Sequence, residues 1–144
     1  MKKIIITTIA LFITVIVSGQ ISKSELKPIF KNDNLDALKK ILTSKNKDIC
    51  IDFKDTSYTL LVLSIRMNAL KCFDYLLKNK ASLEKTCSTK TPLMYAAKYG
   101  KLNMAKKLIK AGAKLNTENY NGRTAIDYAK KFEKREVYKY LKSL

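Results

Sequence analysis

Histidine is absent from this 144-residue chain, and with it the commonest general base, the commonest metal ligand and every Ser/His or Cys/His nucleophilic pair. Three cysteines remain as nucleophiles or ligands, at positions 50, 72 and 87, but that spacing does not resemble a zinc site. The 12 acidic residues are scattered with no pairing at a shared site, and no G-x-x-x-x-G-K-[ST] phosphate loop occurs. Catalysis, a metal and a cofactor are therefore not expected. What the chain has in quantity is adhesive chemistry: 8 tyrosines, and 29 Lys+Arg against 12 Asp+Glu, for a formal net charge of +17. Such a charge attracts acidic partners over long range without naming them. A lysine-rich composition bias would produce the same charge. No zinc-finger or RNP pattern is present, so nucleic acid is not expected as a partner.

The elements that must position these residues begin after the N-terminus. Met1-Lys2-Lys3 precedes an apolar run from Ile4 to Val17 and then Ser18-Gly19-Gln20. About 14 apolar residues are too few for a membrane span, and Val17 and Gly19 are small enough for a cleavage site, so residues 1–19 read as a secretory signal peptide. An uncleaved anchor is the alternative. No cysteine follows the run to carry a lipid anchor. Loss of Lys2 and Lys3 would lower the charge only to +15. The expected location is the periplasm rather than the cell exterior.

Beyond the leader the chain repeats. Thr59, Thr91 and Thr124 stand 32 and 33 residues apart, each followed by the same apolar pattern: Leu61-Val62-Leu63, Leu93-Met94-Tyr95, Ile126-Asp127-Tyr128. Downstream, Leu76-Leu77 aligns with Leu108-Ile109 and with Tyr140-Leu141. The stretch Thr91-Pro-Leu-Met-Tyr-Ala-Ala-Lys-Tyr-Gly100, with Leu102 and Ala111-Gly-Ala113, resembles an ankyrin repeat, whose period is 33 residues. The resemblance implies an all-α solenoid of about four helix-turn-helix repeats, near 24–52, 53–85, 86–118 and 119–144. Within the third, Thr91 should cap the first helix, Pro92 should take its first position and Gly100 its left-handed end. The first repeat is the most diverged; its first helix is expected around Leu26 to Phe30, starting close to Pro28 or kinked there. In the last, Val137, Tyr138 and Leu141 should pack inward while the charged outer face of 134–142 caps the stack.

In the ankyrin family partners usually dock on the concave face, made by the turn tips and the exposed end of each first helix. Carried over by position, the turn sites are Thr56, Tyr58, Ser88, Lys90, Tyr120, Asn121 and Arg123. The helix sites are Arg66, Met67, Lys98, Tyr99, Lys130 and Lys131. Tyrosine supplies rigid contact area and arginine pairs with carboxylates, so the resemblance implies a monomeric module that binds an acidic protein here. Two other roles fit the same residues: an inhibitor or immunity-type protein that neutralises an envelope enzyme or toxin, and a protein held weakly to anionic lipid by its lysines. Cys72 falls on the inner stripe of a second helix and should be buried. Cys50 and Cys87 fall in loops of adjacent repeats, and can pair only if their Cα atoms lie within about 7 Å.

Overall fold

The three threonines that set the register each start a helix. Their hydroxyls accept hydrogen bonds from the N–H groups of Val62, Met94 and Asp127, which a helix start otherwise leaves unpaired. The computed structural model describes residues 21–144; the leader expected at 1–19 lies outside the described residues. In chain order the elements are α1 (Lys23–Lys31), α2 (Leu35–Ile41), β1 (Ile51–Phe53), β2 (Thr56–Tyr58), α3 (Leu60–Met67), α4 (Leu70–Lys78), α5 (Pro92–Lys98), α6 (Leu102–Lys110), α7 (Ala125–Lys131) and α8 (Arg135–Lys142). They form four helix pairs, as an all-α repeat solenoid requires.

The inner helices α1, α3, α5 and α7 pack in a row, and the outer helices α2, α4, α6 and α8 form a second row behind them. Close approach in the inner row depends on small side chains: Ala96, Ala97, Ala125 and Ala129 are all buried at contacts between repeats. Leu38, Phe73, Leu76, Met104 and Leu108 fill the space between the rows. Burial of Val137 and Leu141, with Tyr138 half-buried, closes the C-terminal end as expected.

After each inner helix the chain turns through a left-handed residue. Gly100 has φ +67° there, and Asn68, where the second repeat lacks glycine, takes the same conformation at φ 58°. At the N-terminal end, α1 begins at Lys23 rather than near Pro28. The reason is local. Ser22 and Glu25 form a reciprocal capping box that starts the helix ahead of the proline, whose ring then sits at an exposed position.

Among the described residues only the second repeat's finger pairs as strands, with Ile51 opposite Tyr58, Asp52 opposite Ser57 and Phe53 opposite Thr56. Strand alternation sends Ile51, Phe53 and Tyr58 to one face, while Asp52 and Ser57 hydrogen-bond to each other on the other. The loop cysteines are joined: Cys50 and Cys87 form a disulfide with Cα atoms 5.5 Å apart, tying this finger to the next. Cys72 is buried, with its thiol pushed up to about 12 by burial and then by the neighbouring Asp33.

Carboxylates stitch successive repeats together. Asp33, in the turn after α1, accepts from the N–H groups of Lys71 and Cys72 at 2.9 Å, so the first repeat caps α4, which has no side-chain cap of its own. Burial works against the charged form of Asp33, but the hydrogen bonds from Cys72 and Lys71 outweigh it and hold the carboxyl below its usual range. Asp48 accepts from the N–H of Ser82 at 2.7 Å, Glu84 accepts from the N–H of Lys114 at 2.8 Å and from the Thr117 hydroxyl, and Asp74 pairs with Lys107 at 2.6 Å.

Candidate partner-binding face

The inner helices and the fingers in front of them present a row of aromatic rings. Phe53 lies 6.0 Å from Tyr58, Tyr58 meets Tyr95 edge-on at 5.6 Å, and Tyr95 stacks near Tyr99 at 6.1 Å. One repeat on, Tyr128 stacks near Phe132 at 6.3 Å. Pairs of this geometry add about 0.5–1.5 kcal/mol each beyond the area they bury, so the row is a firm floor. Burial pushes the Tyr95 phenol up to about 12, with Tyr58 adding to it, and burial likewise raises Tyr99 and Tyr128. The tyrosines therefore stay neutral on this face.

Over the floor sit cations. Arg66 lies 4.9 Å from the Tyr58 ring centre and Lys23 4.9 Å from that of Phe53. Lys90 stands over both Tyr95 and Tyr128, and Lys98 over both Tyr99 and Phe132, so each lysine bridges two repeats. Lys131 joins them over Phe132 at 5.8 Å. The salt bridges among the described residues are Lys39–Asp36, Lys47–Asp48 and Lys107–Asp74, and none of them involves these five cations. Lys90 carries the consequence: burial, then repulsion from Lys98 and Lys131, holds its ammonium below the usual lysine range. An anion placed among the three would relieve that repulsion.

Of the residues expected to form the contact, Arg66, Lys90, Lys98, Tyr99 and Lys131 come together over this floor, with Met67 half-buried at its edge. Tyr58 does not stand free. It is only 7% exposed, enclosed by Phe53, Tyr95 and Arg66, so it supports the guanidinium instead of meeting a partner directly. Lys130 turns away from Lys131 towards the terminal cap, where it lines a cavity with Lys134, Arg135 and Tyr138. Tyr120 is 78% exposed at the tip of the last finger, with Asn121 and Arg123 exposed beside it. Asn119, a residue the sequence reading passed over, orders that tip: its side chain accepts from the N–H groups of Asn121 and Arg123 and donates to the Tyr128 hydroxyl.

Lys23, Phe53, Tyr95, Tyr128 and Phe132 were also missed as members of this face. A signal existed for four of the rings and helix ends: Tyr95 and Tyr128, and Tyr99 and Phe132, occupy the same repeat positions 33 residues apart. The pattern reads as apolar spacing until the lysines above it are placed.

The ankyrin profile, described as ankyrin repeats (3 copies), matches residues 29–119 and again 82–143. The chain belongs to the ankyrin repeat family. It is similar to a protein of Borreliella burgdorferi named as an ankyrin repeat protein, with 28% identity over 123 residues. That match takes in 83% of this chain and 29% of the length of its relative. Membership makes the molecule a protein–protein interaction module, and the arrangement above locates cations and rings where such a module would meet its partner.

Proposed function

We propose that this ankyrin module is exported and binds an acidic protein through the inner-helix face. The observation that carries the reading is the trio Lys90, Lys98 and Lys131, held over aromatic rings and repelling one another with no carboxylate paired to any of them. A partner carboxylate would gain from all three ammonium groups and would not have to displace an acid of this chain. Export is supported by the basic start and short apolar run at the N-terminus, and by the Cys50–Cys87 bridge, a bond at home in oxidising compartments.

Parallel capture from an envelope extract, with the wild type and with an Arg66→Gln, Lys98→Gln, Lys131→Gln variant, tests the face. One acidic protein retained in stoichiometric amount by the wild type and lost by the variant supports the reading. Equal retention by both means that the contact lies elsewhere. Phosphatidylglycerol vesicles that bind both proteins alike would assign the charge to general attraction for anionic surfaces. Fractionation of cells expressing the full chain decides export, and a product confined to the cytoplasm would refute that part.

A further inference from the structure

The aromatic row continues past Arg66 into an open groove at the junction of the first two repeats. It has a volume of about 360 Å³ and is lined by Lys23, Lys27, Phe53, Lys54, Arg66 and Met67. Two half-buried apolar side chains, Phe53 and Met67, make its floor. Four cations stand around them and no carboxylate lines the groove. The pleat of the hairpin contributes to this: Asp52 points to the face opposite Phe53 and is engaged by Ser57. Lys54, in a left-handed turn at φ 55°, is presented from the tip, with exposed Asp55 as the nearest acid in sequence. Lys23 and Lys27 rise from one side of α1, four residues apart, which places them on the same helix face.

The volume lies near the lower end of the range for small-molecule clefts, about 300–1,000 Å³, and suits one large side chain with its flanks more than an extended cofactor. Resting on the reading that the inner-helix face takes an acidic protein, we propose that this groove is its anchoring pocket. It receives an aromatic or large aliphatic side chain of the partner whose neighbours in sequence are acidic. The apolar side chain covers Phe53 and Met67, and the flanking carboxylates meet Lys23, Lys27, Lys54 and Arg66. Buried apolar anchors of this sort dominate binding energy, while rim charges set selection and rate. Because Phe53 adjoins Tyr58 and Tyr58 adjoins Tyr95, a segment anchored here continues directly towards Lys90, Lys98 and Lys131.

Two peptides separate the groove from the lysine trio: acetyl-Glu-Glu-Phe-Glu-Glu-amide, and the same peptide with glycine at the centre. Each is titrated into the 15N-labelled full chain and followed by amide shifts. The phenylalanine peptide should bind at least fivefold more tightly and move the amides of 53–55 and 66–68. Phe53→Ala should reduce its affinity to that of the glycine peptide. Lys27→Glu with Lys54→Glu, at exposed positions that leave the hairpin floor intact, should weaken the phenylalanine peptide by tenfold or more. Equal affinities for the two peptides, or shifts confined to the surroundings of Lys90, Lys98 and Lys131, would overturn the pocket while leaving the acidic-partner reading in place. If neither peptide shifts any amide of the face, the acidic-partner reading falls with it.

Discussion

Lys107 and Lys98 belong to the same repeat, yet one is neutralised by Asp74 from the previous repeat at 2.6 Å and the other stands over two rings with no acid. The difference extends to the two sides of the stack. On the outer helices and outgoing loops, Asp33, Asp48, Asp74 and Glu84 each reach into the following repeat. Glu25 and Asp127 are taken up in capping boxes, Asp36 by Lys39 and Asp52 by Ser57. On the inner-helix face no carboxylate meets the cations. A lysine-rich composition therefore becomes a directed field because the few acids are used structurally on one side. The outer side holds the stack and the inner side is left to bind.

Ala97→Glu should abolish the distinction, because Ala97 is fully buried in the inner row and supports both sides. Burying an unpaired carboxylate there is expected to cost more than about 4 kcal/mol and to unfold the stack, seen as loss of the helical circular dichroism signal at 25 °C. A variant that melts like the wild type would mean that the inner-helix packing is misassigned.

Breaking the Cys50–Cys87 bridge comes next. The bond joins residues 37 apart in sequence, and in the chain-entropy account closing such a loop stabilises by roughly 4 kcal/mol. Cys50→Ser with Cys87→Ser should lower the urea midpoint accordingly. It should also loosen the finger bearing Phe53 and Tyr58, and so weaken acidic ligands through the inner face. A midpoint unchanged from the wild type would show that the bridge is not formed in solution.

A double contrast sharpens the division of labour. Asp33→Ala removes a charged acceptor from two backbone N–H groups and should cost about 1–3 kcal/mol in urea unfolding while leaving affinity for an acidic ligand unchanged. Arg66→Gln, Lys98→Gln and Lys131→Gln together should do the reverse, with stability within about 1 kcal/mol of wild type and binding lost. The outer side also carries the acid sensitivity. Glu25 is lowered by its hydrogen bonds from the Ser22 hydroxyl and N–H, Asp127 by those from the Thr124 N–H and hydroxyl, and Asp33 by those from Cys72 and Lys71 against its burial. A depressed carboxyl stabilises fully above its unfolded value of about 4 and loses that contribution as pH falls through the folded value. Melting temperature should therefore drop below about pH 4, and less so in Asp33→Ala.

Much of the stack was legible in the sequence because its determinants are local and periodic: threonine caps, Pro92, Gly100 and apolar spacing act within a single repeat. The start of α1 was misplaced because Pro28 was weighed without the Ser22–Glu25 box ahead of it. The site was legible only by position. Repeat register found Arg66, Lys90, Lys98 and Lys131, but which rings lie under them depends on contacts between repeats. Tyr58 reads as a surface residue until Tyr95, 37 positions later, is seen against it. The same holds for Asp33, whose partners at 71 and 72 lie in another repeat.

The subtlest test separates binding from stability at a single residue. Lys90 is held below the usual lysine range by burial and by Lys98 and Lys131, so its charged form is disfavoured in the folded state. That penalty applies at neutral pH and disappears as pH rises through the unfolded lysine value of about 10.4. Lys90→Met keeps the apolar stem over Tyr95 and Tyr128 and removes the repulsion. Stability at pH 7 should stay level or rise by up to about 1 kcal/mol, solvent screening limiting the gain. Any gain should shrink by pH 10.5, while affinity for an acidic ligand falls severalfold. A structural lysine would behave in the opposite way, with Lys90→Met destabilised at neutral pH and its ligand affinity untouched. Lys90→Arg distinguishes charge from shape: if an anion sits among the three cations, the arginine variant should keep most of the affinity that methionine loses.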